Sequence, residues 1–449
     1  LCILVFYFNH HFTVSMMDSV ATFVVLLLKC ILEFIFLGLE KIVDLLSKAY
    51  DMVNPEQVAL LNRKKKTVVI VGGSFSGLAA LHELESCGQF EVILIDQREY
   101  FEYTPGLLRL FCDPSHFAKL ARRLVPPKNG CIIHGKVTAT EKNSVSYVTA
   151  GENKATSLKY DYLINATGSS YAVINASEDP TLEDREKSWM DAHMKLKGSK
   201  RIIILGGGAV GVELAAEIVD YFPEKNVTIV DADSTLVPLF SKTTQEYAHR
   251  WLTRRSVDLR LGKRIKKWDG KTCEFNDGTI LNADLVYLCF GGRANSSHLA
   301  SGKQDRQKRV VVNECLQVEG RNTFVCGDVA SPPSEARSQA FHAEIQGIVA
   351  ARNVIRTETA SQKGLIRYPD DICGSKLMPL VYVLSLGRYD GVLCFNQLIL
   401  TGPLSAVFKW ILEYTKVLHM EGKLLGKLIW ALGDSAVLFL SRTLVKPAQ

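Results

Sequence analysis

Two glycine-rich segments of this chain have the residue types and spacing of dinucleotide-binding loops. Residues Val68–Gly77 read Val-Val-Ile-Val-Gly-Gly-Ser-Phe-Ser-Gly, and residues Arg201–Gly211 read Arg-Ile-Ile-Ile-Leu-Gly-Gly-Gly-Ala-Val-Gly. Each pairs an apolar β-branched strand with an alanine-rich helix, whose N-terminal N–H groups can hold a pyrophosphate. One such motif recurs by chance, whereas two in one chain predict two nucleotide sites. This arrangement is typical of flavoprotein reductases, which retain one cofactor and exchange the other.

The two loops differ at their middle position. In the second loop Gly206 permits the tight turn, Gly208 lets the backbone approach the pyrophosphate, and Gly211 allows close packing of helix on strand. In the first loop a serine stands in the middle, and its hydroxyl can donate a hydrogen bond to phosphate. The predicted flavin-nucleotide loop consists of Gly72, Gly73, Ser74 and Gly77.

An aspartate ends the second strand of each predicted nucleotide fold. Asp96 lies nineteen positions after the last glycine of the first loop, and Asp231 lies twenty after that of the second. An acid at this spacing binds ribose hydroxyls; the alternative is a solvated strand end. A carboxylate at Asp231 would repel a 2′-phosphate, so we predict NADH as the exchanging nucleotide, with NADPH as the alternative.

Further residues at strand ends complete the predicted sites. The strand Tyr160–Gly168 runs into Thr167 and Gly168, and the strand Asn322–Asp328 ends on Gly327 and Asp328. We expect the Asp328 carboxylate to hold the flavin's ribityl hydroxyls, although it could instead cap a helix. The remaining predicted residues are Arg109 on the flavin side and Gly291, in a crossover, on the NADH side.

Composition excludes several classes of protein. The 449 residues suffice for two to three domains, and a net charge of +6 without a long Lys/Arg run argues against nucleic-acid binding. The eleven cysteines form no C-x-x-C or C-x-x-x-x-C pair, so a disulfide reductase is excluded. A sulfide-oxidising flavoprotein needs two cysteines that meet at the flavin, and Cys131 and Cys326 stay open for that role. We predict no metal site.

Both ends of the chain are apolar with a narrow charged stripe at helical spacing. In Asp18–Lys48 the charges share one arc of about 120°, and those between Lys409 and Asp434 share about 80°. Because Lys29 and Glu33 interrupt the N-terminal apolar stretch, we predict an in-plane helix at a lipid surface rather than a spanning one. Core-packing or dimer helices are the alternatives. Met16 or Met17 is the expected start residue.

Three stretches resemble the ferroptosis suppressor protein group of apoptosis-inducing-factor-like NADH:quinone oxidoreductases, which are related to type II NADH dehydrogenases. They are Gly206–Glu217, the segment from Tyr221 through Ile229, and Leu384–Val392, which reads Leu-Ser-Leu-Gly-Arg-Tyr-Asp-Gly-Val. The resemblance implies non-covalently bound FAD, NAD(P)H oxidation and reduction of a membrane quinone. It also implies that Glu213 lies on the nicotinamide side, the alternative being a helix-surface carboxylate.

A second functional interpretation stays open. Relatives of apoptosis-inducing factor suggest an NADH-sensing flavoprotein that acts as a redox signalling or scaffold protein with little steady turnover. The apolar ends would then be partner surfaces, and a homodimer is compatible with either interpretation. We expect a membrane-associated protein whose catalytic body faces the cytosol; lipid droplet, plasma membrane and mitochondrion are all open.

The predicted fold is α/β, with two Rossmann-like FAD/NAD(P)-binding domains of the two-dinucleotide flavoprotein type, one inserted in the other, plus amphipathic terminal helices. We expect the part from Lys66 to about Leu365 to be soluble without the ends. The predicted divisions are a membrane-associating segment (1–62), the FAD domain in two parts (63–170 and 291–365), the inserted NAD(P)H domain (171–290) and a membrane-docking, quinone-side region (366–449).

Overall fold

The computed structural model describes residues 16–53, 65–176, 179–299, 303–334 and 338–443. Within those ranges the α-helices are α1 Met16–Val53, α2 Phe75–Cys87, α3 Phe117–Leu120, α4 Leu182–Lys197, α5 Ala209–Tyr221, α6 Lys242–Arg254, α7 Ala340–Glu358, α8 Asp370–Cys373, α9 Pro403–Met420 and α10 Leu424–Thr443. Short 3-10 turns occur at Thr104–Phe111, Pro114–His116, Ala172–Ile174 and Gly327–Val329.

The β-strands fall into sheets that follow the two predicted nucleotide folds. In chain order they are β1 Lys66–Val71, β2 Phe90–Asp96, β3 Tyr100–Glu102, β4 Ala121–Arg123, β5 Gly130–Thr140, β6 Ser144–Thr149, β7 Thr156–Lys159, β8 Tyr162–Asn165, β9 Ser169–Ser170, β10 Arg201–Leu205, β11 Asn226–Val230, β12 Asp258–Arg260, β13 Ile265–Trp268, β14 Thr272–Phe275, β15 Ile280–Asn282, β16 Leu285–Leu288, β17 Arg293–Ala294, β18 Val310–Val311, β19 Thr323–Val325, β20 Ala330–Ser331, β21 Val381–Leu386, β22 Asp390–Phe395 and β23 Leu398–Thr401.

The first nucleotide fold is built on a seven-stranded sheet of order β19-β8-β1-β2-β5-β6-β7. Strands β19 through β5 are parallel, whereas β5-β6-β7 are antiparallel. Its central strands are largely apolar because both faces are buried. Val68 and Ile70 face the helices, whereas Val69 and Val71 pack with Val145 of β6. Strand β19 follows the inserted fold in sequence and pairs with β8, with Thr323 opposite Leu163. The chain therefore leaves this sheet and returns to it.

The second nucleotide fold is a four-stranded parallel sheet of order β12-β11-β10-β16. A small antiparallel sheet, β13-β14-β15, packs on it through a core that includes Ile203, Phe275 and Ala283. Helix α5 follows β10 directly, as α2 follows β1 in the first fold. The duplicated β-α-β arrangement confirms the fold class predicted from the two glycine loops.

The C-terminal region packs onto the nucleotide folds and is not a detachable unit. Strands β21-β22-β23 form an antiparallel sheet, and Leu384 and Val392 belong to the same buried core as Val212 and Leu214 of α5. Helix α9 adds Val417 to that core. Our expectation that residues 66–365 are soluble without the ends is therefore wrong, because their removal would expose this apolar surface to water.

The charged stripe of α9 faces into the protein. Interfacial helices leave such a stripe in water. Here the carboxylate of Glu413 lies 2.7 Å from Nε2 of His116, and the ammonium of Lys416 lies 2.5 Å from Glu344 on α7. Glu413 and Lys416 are each less than 7 % exposed. The core-packing alternative therefore holds for α9. A break around Gly422 separates α9 from α10, which is more exposed.

Helix α1 lies along α9 and α10. Val25 is buried, the ring of Phe36 stacks on Tyr414 at 5.5 Å, and Glu40 pairs with Lys423 at 3.3 Å. Val25 and Glu40 are separated by roughly 23 Å of helix at 1.5 Å per residue. The segment Thr22–Val43 is long and apolar enough to cross a membrane, and little of it is buried. Its side-on packing against the folded body supports the in-plane arrangement.

The Lys416–Glu344 pair gives a test of how α9 is held. Replacing Lys416 with methionine leaves the buried Glu344 carboxylate with only the His419 imidazole, 3.1 Å away, and removes a charge that lies 3.0 Å from the centroid of the Trp430 ring. We expect K416M to lower the free energy of unfolding by about 3–5 kcal/mol, measured by chemical denaturation of the full chain.

Lys266→Met is the matched control, because Lys266 pairs with Glu274 at the surface and is 60 % exposed. Surface pairs contribute about 0–1 kcal/mol, so K266M should unfold close to the wild type. If K416M were no less stable than K266M, the charged stripe of α9 would not be held in this buried position.

Candidate functional site

At the last position of the first glycine loop, only a glycine fits. A Cβ at Gly77 would overlap the carbonyl oxygen of Gly72, so helix α2 begins in direct contact with the loop. Ser74 precedes the helix and makes no side-chain capping bond. Asp96 accepts the N–H of Gly73 at 2.6 Å. The carboxylate of Asp96 therefore holds the loop closed, and the Ser74 hydroxyl does not cap helix α2.

The second loop repeats this geometry. A Cβ at Gly211 would overlap the carbonyl oxygen of Gly206, and Asp231 accepts the N–H of Gly207. A Cβ at Gly208, by contrast, would meet no protein atom within 4 Å. The protein itself therefore does not require glycine at position 208, whereas a pyrophosphate lying against the backbone would.

Both strand-end aspartates are part of the loops and are not solvated ends. Asp96 is 8 % exposed, and its second oxygen accepts the N–H of Arg98 at 2.8 Å. Asp231 likewise accepts the N–H of Asp233 at 2.7 Å. Each carboxylate offers about four acceptor positions, so capacity for ribose hydroxyls remains. Among the described side chains, no lysine or arginine forms an ion pair with Asp231, so its negative charge is uncompensated.

The Thr167–Gly168 turn and Asp328 lie together where the chain crosses between the folds. Thr167 donates its hydroxyl to the carbonyl of Asn295 at 2.7 Å, and Ser169 donates to Asp328 at 2.7 Å. Burial raises the pKa of the Asp328 carboxyl. The N-cap of the 3-10 turn is Cys326, so the helix-capping interpretation of Asp328 is wrong.

These residues fit a flavin nucleotide. The first loop presents a helix N-terminus for phosphate, Asp96 has acceptor capacity for the ribose, and Asp328 has a half-buried carboxylate with lone pairs left for further hydroxyls. Gly327 donates its N–H to Gln346 on α7, which fixes the turn that carries Asp328. The fit rests on the donors and acceptors of the chain itself.

Arg109 and Gly291 take positions that the sequence did not specify. Arg109 donates to Glu217 of α5 at 3.1 and 3.4 Å and is buried. Burial opposes its charge, but Glu217 and Glu413 outweigh that effect and raise its pKa. The described hydrogen bonds of Arg109 thus join the two folds and do not involve the first loop. Gly291 lies between β16 and β17 with a positive φ of 76° and open space beside it.

The carboxylate of Glu213 is held by two other segments of the chain, so the helix-surface alternative is wrong. Its carboxylate accepts the N–H of Ser385 on β21 at 2.6 Å and lies 3.6 Å from the ammonium of Lys409 on α9. Burial raises its pKa, against the opposing charge of Lys409. Sequence reasoning missed Ser385 and Lys409 as site residues. The Leu384–Val392 motif contained a signal for the first, and the charged stripe of α9 contained one for the second.

The cleft beside Glu213 is formed by segments from four parts of the chain. The space between its walls is about 250 Å³, a volume that includes open solvent. Its floor and walls come from the 3-10 turn at Thr104–Phe111, the β21–β22 turn, α9 and α1. The lining residues are Lys29, Arg109, Ser385, Gly387, Arg388, Ala406, Lys409, Trp410 and Glu413. Four cationic side chains, the carboxylate of Glu413 and one tryptophan therefore surround this space.

The cysteines do not support sulfide oxidation. Cys131 lies on β5 and Cys326 follows β19, and strands β8, β1 and β2 lie between them in the sheet. Four strand spacings correspond to roughly 19 Å, too far for the two sulfurs to meet. Every cysteine in the described ranges is free. In the same ranges there is no group of three or more His, Cys, Asp or Glu residues that could hold a metal ion.

Comparisons with known proteins agree with this geometry. A family model described as pyridine nucleotide-disulphide oxidoreductase matches residues 66–354. Ferroptosis suppressor protein 1 of Xenopus laevis is 30 % identical over 352 residues, which cover 73 % of this chain and 88 % of the relative.

Two solved structures share the fold. The sulfide:quinone oxidoreductase of Aquifex aeolicus superposes with a TM-score of 0.67 at 18 % identity, covering 84 % of this chain and 95 % of its own. NDH2 of Plasmodium falciparum in complex with NADH superposes with a TM-score of 0.65 at 15 % identity, covering 86 % and 99 %.

Gly208 and Gly211 of the second loop should respond differently to an added methyl group. Gly208→Ala has space in the protein, so we expect unchanged thermal stability but a KM for NADH raised about tenfold or more, because the methyl group separates backbone and phosphates. Gly211→Ala should instead lower the melting temperature, since its Cβ overlaps the Gly206 carbonyl. Equal effects of both substitutions on stability would contradict this assignment.

Proposed function

We propose that this chain, which belongs to the pyridine nucleotide-disulphide oxidoreductase family and to its ferroptosis suppressor protein group, passes two electrons from NADH to a membrane quinone through non-covalently bound FAD. Membership of the family makes it an NAD(P)H-dependent flavoprotein oxidoreductase. The identity of the flavin, the preference for NADH and the quinone are the parts that we propose.

One observation carries the proposal. Glu213 of the second nucleotide fold bonds to Ser385 and lies near Lys409, and these two residues line one cleft with Lys29 and Trp410 of the terminal helices. We propose that the water-soluble donor and the lipid-soluble acceptor reach the flavin on either side of this region. A flavin supplies, when bound, a carrier that takes two electrons from a nicotinamide and gives them to a quinone. Quinone is the acceptor in the name of the sulfide:quinone oxidoreductase whose fold this chain shares.

Different residues of the chain would bind the two nucleotides. The loop at Gly206–Gly211 and Asp231 would bind the pyrophosphate and adenosine ribose of NADH, while Gly72–Gly77, Asp96 and Asp328 would bind FAD. Glu213 is held in place by the Ser385 N–H and the Lys409 ammonium, and we propose that it lies on the nicotinamide side. Thr167, Gly168 and Gly291 shape the crossover between the two nucleotides.

Membrane association follows from the surface of the terminal helices. Phe34 of α1 is 80 % exposed, and Phe408, Leu432 and Phe439 of α9 and α10 are also exposed. Burial of several such side chains in lipid, at about 1.5–3 kcal/mol each, suffices for stable docking. We propose that this face lies on a membrane and that the nucleotide folds face the cytosol.

The proposed function is tested with purified full-length protein. It should be yellow and should oxidise NADH continuously when a short-tailed benzoquinone is supplied, as followed by NADH absorbance. Bleaching of the flavin by NADH without continued turnover would favour the redox-sensing alternative. A colourless protein that takes up no FAD would contradict both interpretations.

The charge of Asp231 should set nucleotide preference. Asp231→Asn removes the repulsion of a 2′-phosphate, so the ratio of kcat/KM for NADH over NADPH should fall about tenfold. Asp269→Asn, an exposed position in the β13–β14 turn of the same domain, is the control and should leave the ratio unchanged. A wild type that uses NADPH as well as NADH would show that this carboxylate does not face the phosphate.

Glu213→Gln should slow flavin reduction by NADH while FAD stays bound. The amide can still accept the Ser385 N–H but no longer offers a negative charge beside Lys409. Rapid mixing with NADH measures the rate of bleaching, and absorbance of the purified variant measures FAD content. Unchanged bleaching would assign Glu213 a purely structural role.

A further inference from the structure

Lys29 of helix α1 reaches the cleft that the proposed function assigns to the acceptor. It lies one helical turn after the buried Val25, so its side chain leaves the helix on the face that packs against the body. It lines the cleft together with Lys409 and Trp410, and its ammonium lies 6.0 Å from the centroid of the Tyr389 ring. Helix α1 precedes the residues 66–354 that the family model matches.

The other cations of the cleft have carboxylate partners. Arg109 pairs with Glu217, Arg388 with Asp220, and Lys409 lies near Glu213. For Lys29, by contrast, no described carboxylate lies within ion-pair distance.

Desolvation without a partner is costly for an ammonium group. A lysine held in this way is suited to a ligand that brings its own acceptor oxygen.

The surroundings of Lys29 indicate the chemistry of that ligand. The indole of Trp410 lines the cleft and packs against Phe36 of α1, with ring centroids 6.4 Å apart. Outside the cleft, the neighbouring side chains Leu28 and Ile31 of α1 are exposed. An aromatic ring with carbonyl oxygens and a lipid-soluble tail matches all three features, since the ring can pack on indole, an oxygen can accept from the ammonium and the tail can follow the apolar face.

We propose that Lys29 is an acceptor-binding residue contributed by the membrane-docking helix, and that its ammonium donates a hydrogen bond to one carbonyl oxygen of the quinone. This inference rests on the proposed function and deepens it. Lys29 forms no covalent bond and gives up no proton in this role. Helix α1 is thereby part of the active site, and not only an anchor.

The charge state of Lys29 gives the proposal a pH signature. Burial and the charges of Arg109 and Lys409 lower its pKa, against the opposing charges of Glu413 and Glu217, to about 8. The ammonium form therefore predominates below pH 8, and the neutral amine predominates above it. Charge-assisted hydrogen bonds are about twice as strong as neutral ones, so quinone affinity should fall as pH rises through 8.

The test compares Lys29→Met, Lys29→Arg and Lys41→Met in the full-length protein with a short-tailed benzoquinone. Lys41 lies on the exposed side of the same helix and is the matched control. We expect K29M to raise the KM for quinone about tenfold and to abolish the rise of KM between pH 7 and 9. K29R should keep the affinity and lose the pH dependence, because arginine stays charged. K41M should behave as the wild type.

Separate measurements distinguish binding from structural effects. The rate of flavin bleaching by NADH in K29M should stay within about twofold of the wild type, because that half-reaction does not involve the acceptor. A K29M variant with the wild-type KM and pH profile would overturn the proposal for Lys29 while leaving quinone reduction intact. A wild type that reduces no quinone would overturn the proposed function, and the assignment of Lys29 with it.

Discussion

The buried ion pairs of α9 are the constraint on which the arrangement of this molecule depends. One helix carries Lys409, Glu413 and Lys416 on a single face, and their partners Glu213, His116 and Glu344 belong to both nucleotide folds. A buried charge without a partner is strongly destabilising, so only a packing that satisfies all three pairs is stable. The C-terminal helix thereby fixes the position of the inserted fold relative to the first.

That constraint also explains why the apolar side of the terminal helices is exposed. Besides these charged residues, α9 contributes Val417 and Met420 to the core, while Trp410 and Tyr414 pack against Phe36 of α1 and Phe408 is exposed. Helix α1 is in turn held by Val25, by ring stacking at Phe36 and by the Glu40–Lys423 pair. All three helices leave large apolar side chains exposed, among them Phe34, Phe408 and Leu432, and exposed apolar areas mark interaction sites.

The two glycine loops show how little the nucleotide folds differ in their local chemistry. In each, a Cβ on the last glycine would overlap the carbonyl oxygen of the first glycine. The strand-end aspartate accepts the N–H of the glycine that follows the first one, Gly73 or Gly207. What distinguishes the two proposed sites lies outside the loops, in Asp328 and the Thr167–Gly168 turn for the proposed flavin site and in Glu213 for the proposed NADH site. A common fold thus carries two roles because different segments complete it.

The sequence by itself determined the loops, their aspartates and the fold class, because these depend on contacts within about 25 residues and on backbone geometry that only glycine allows. The tertiary structure alone decided the pairing of Arg109 with Glu217, 108 residues away, and of Glu213 with Ser385, 172 residues away. A helical wheel identified which residues of α9 share a face but not the direction of that face. Direction depends on partner charges from distant segments, and for the same reason no local pattern could place Lys29 in the cleft.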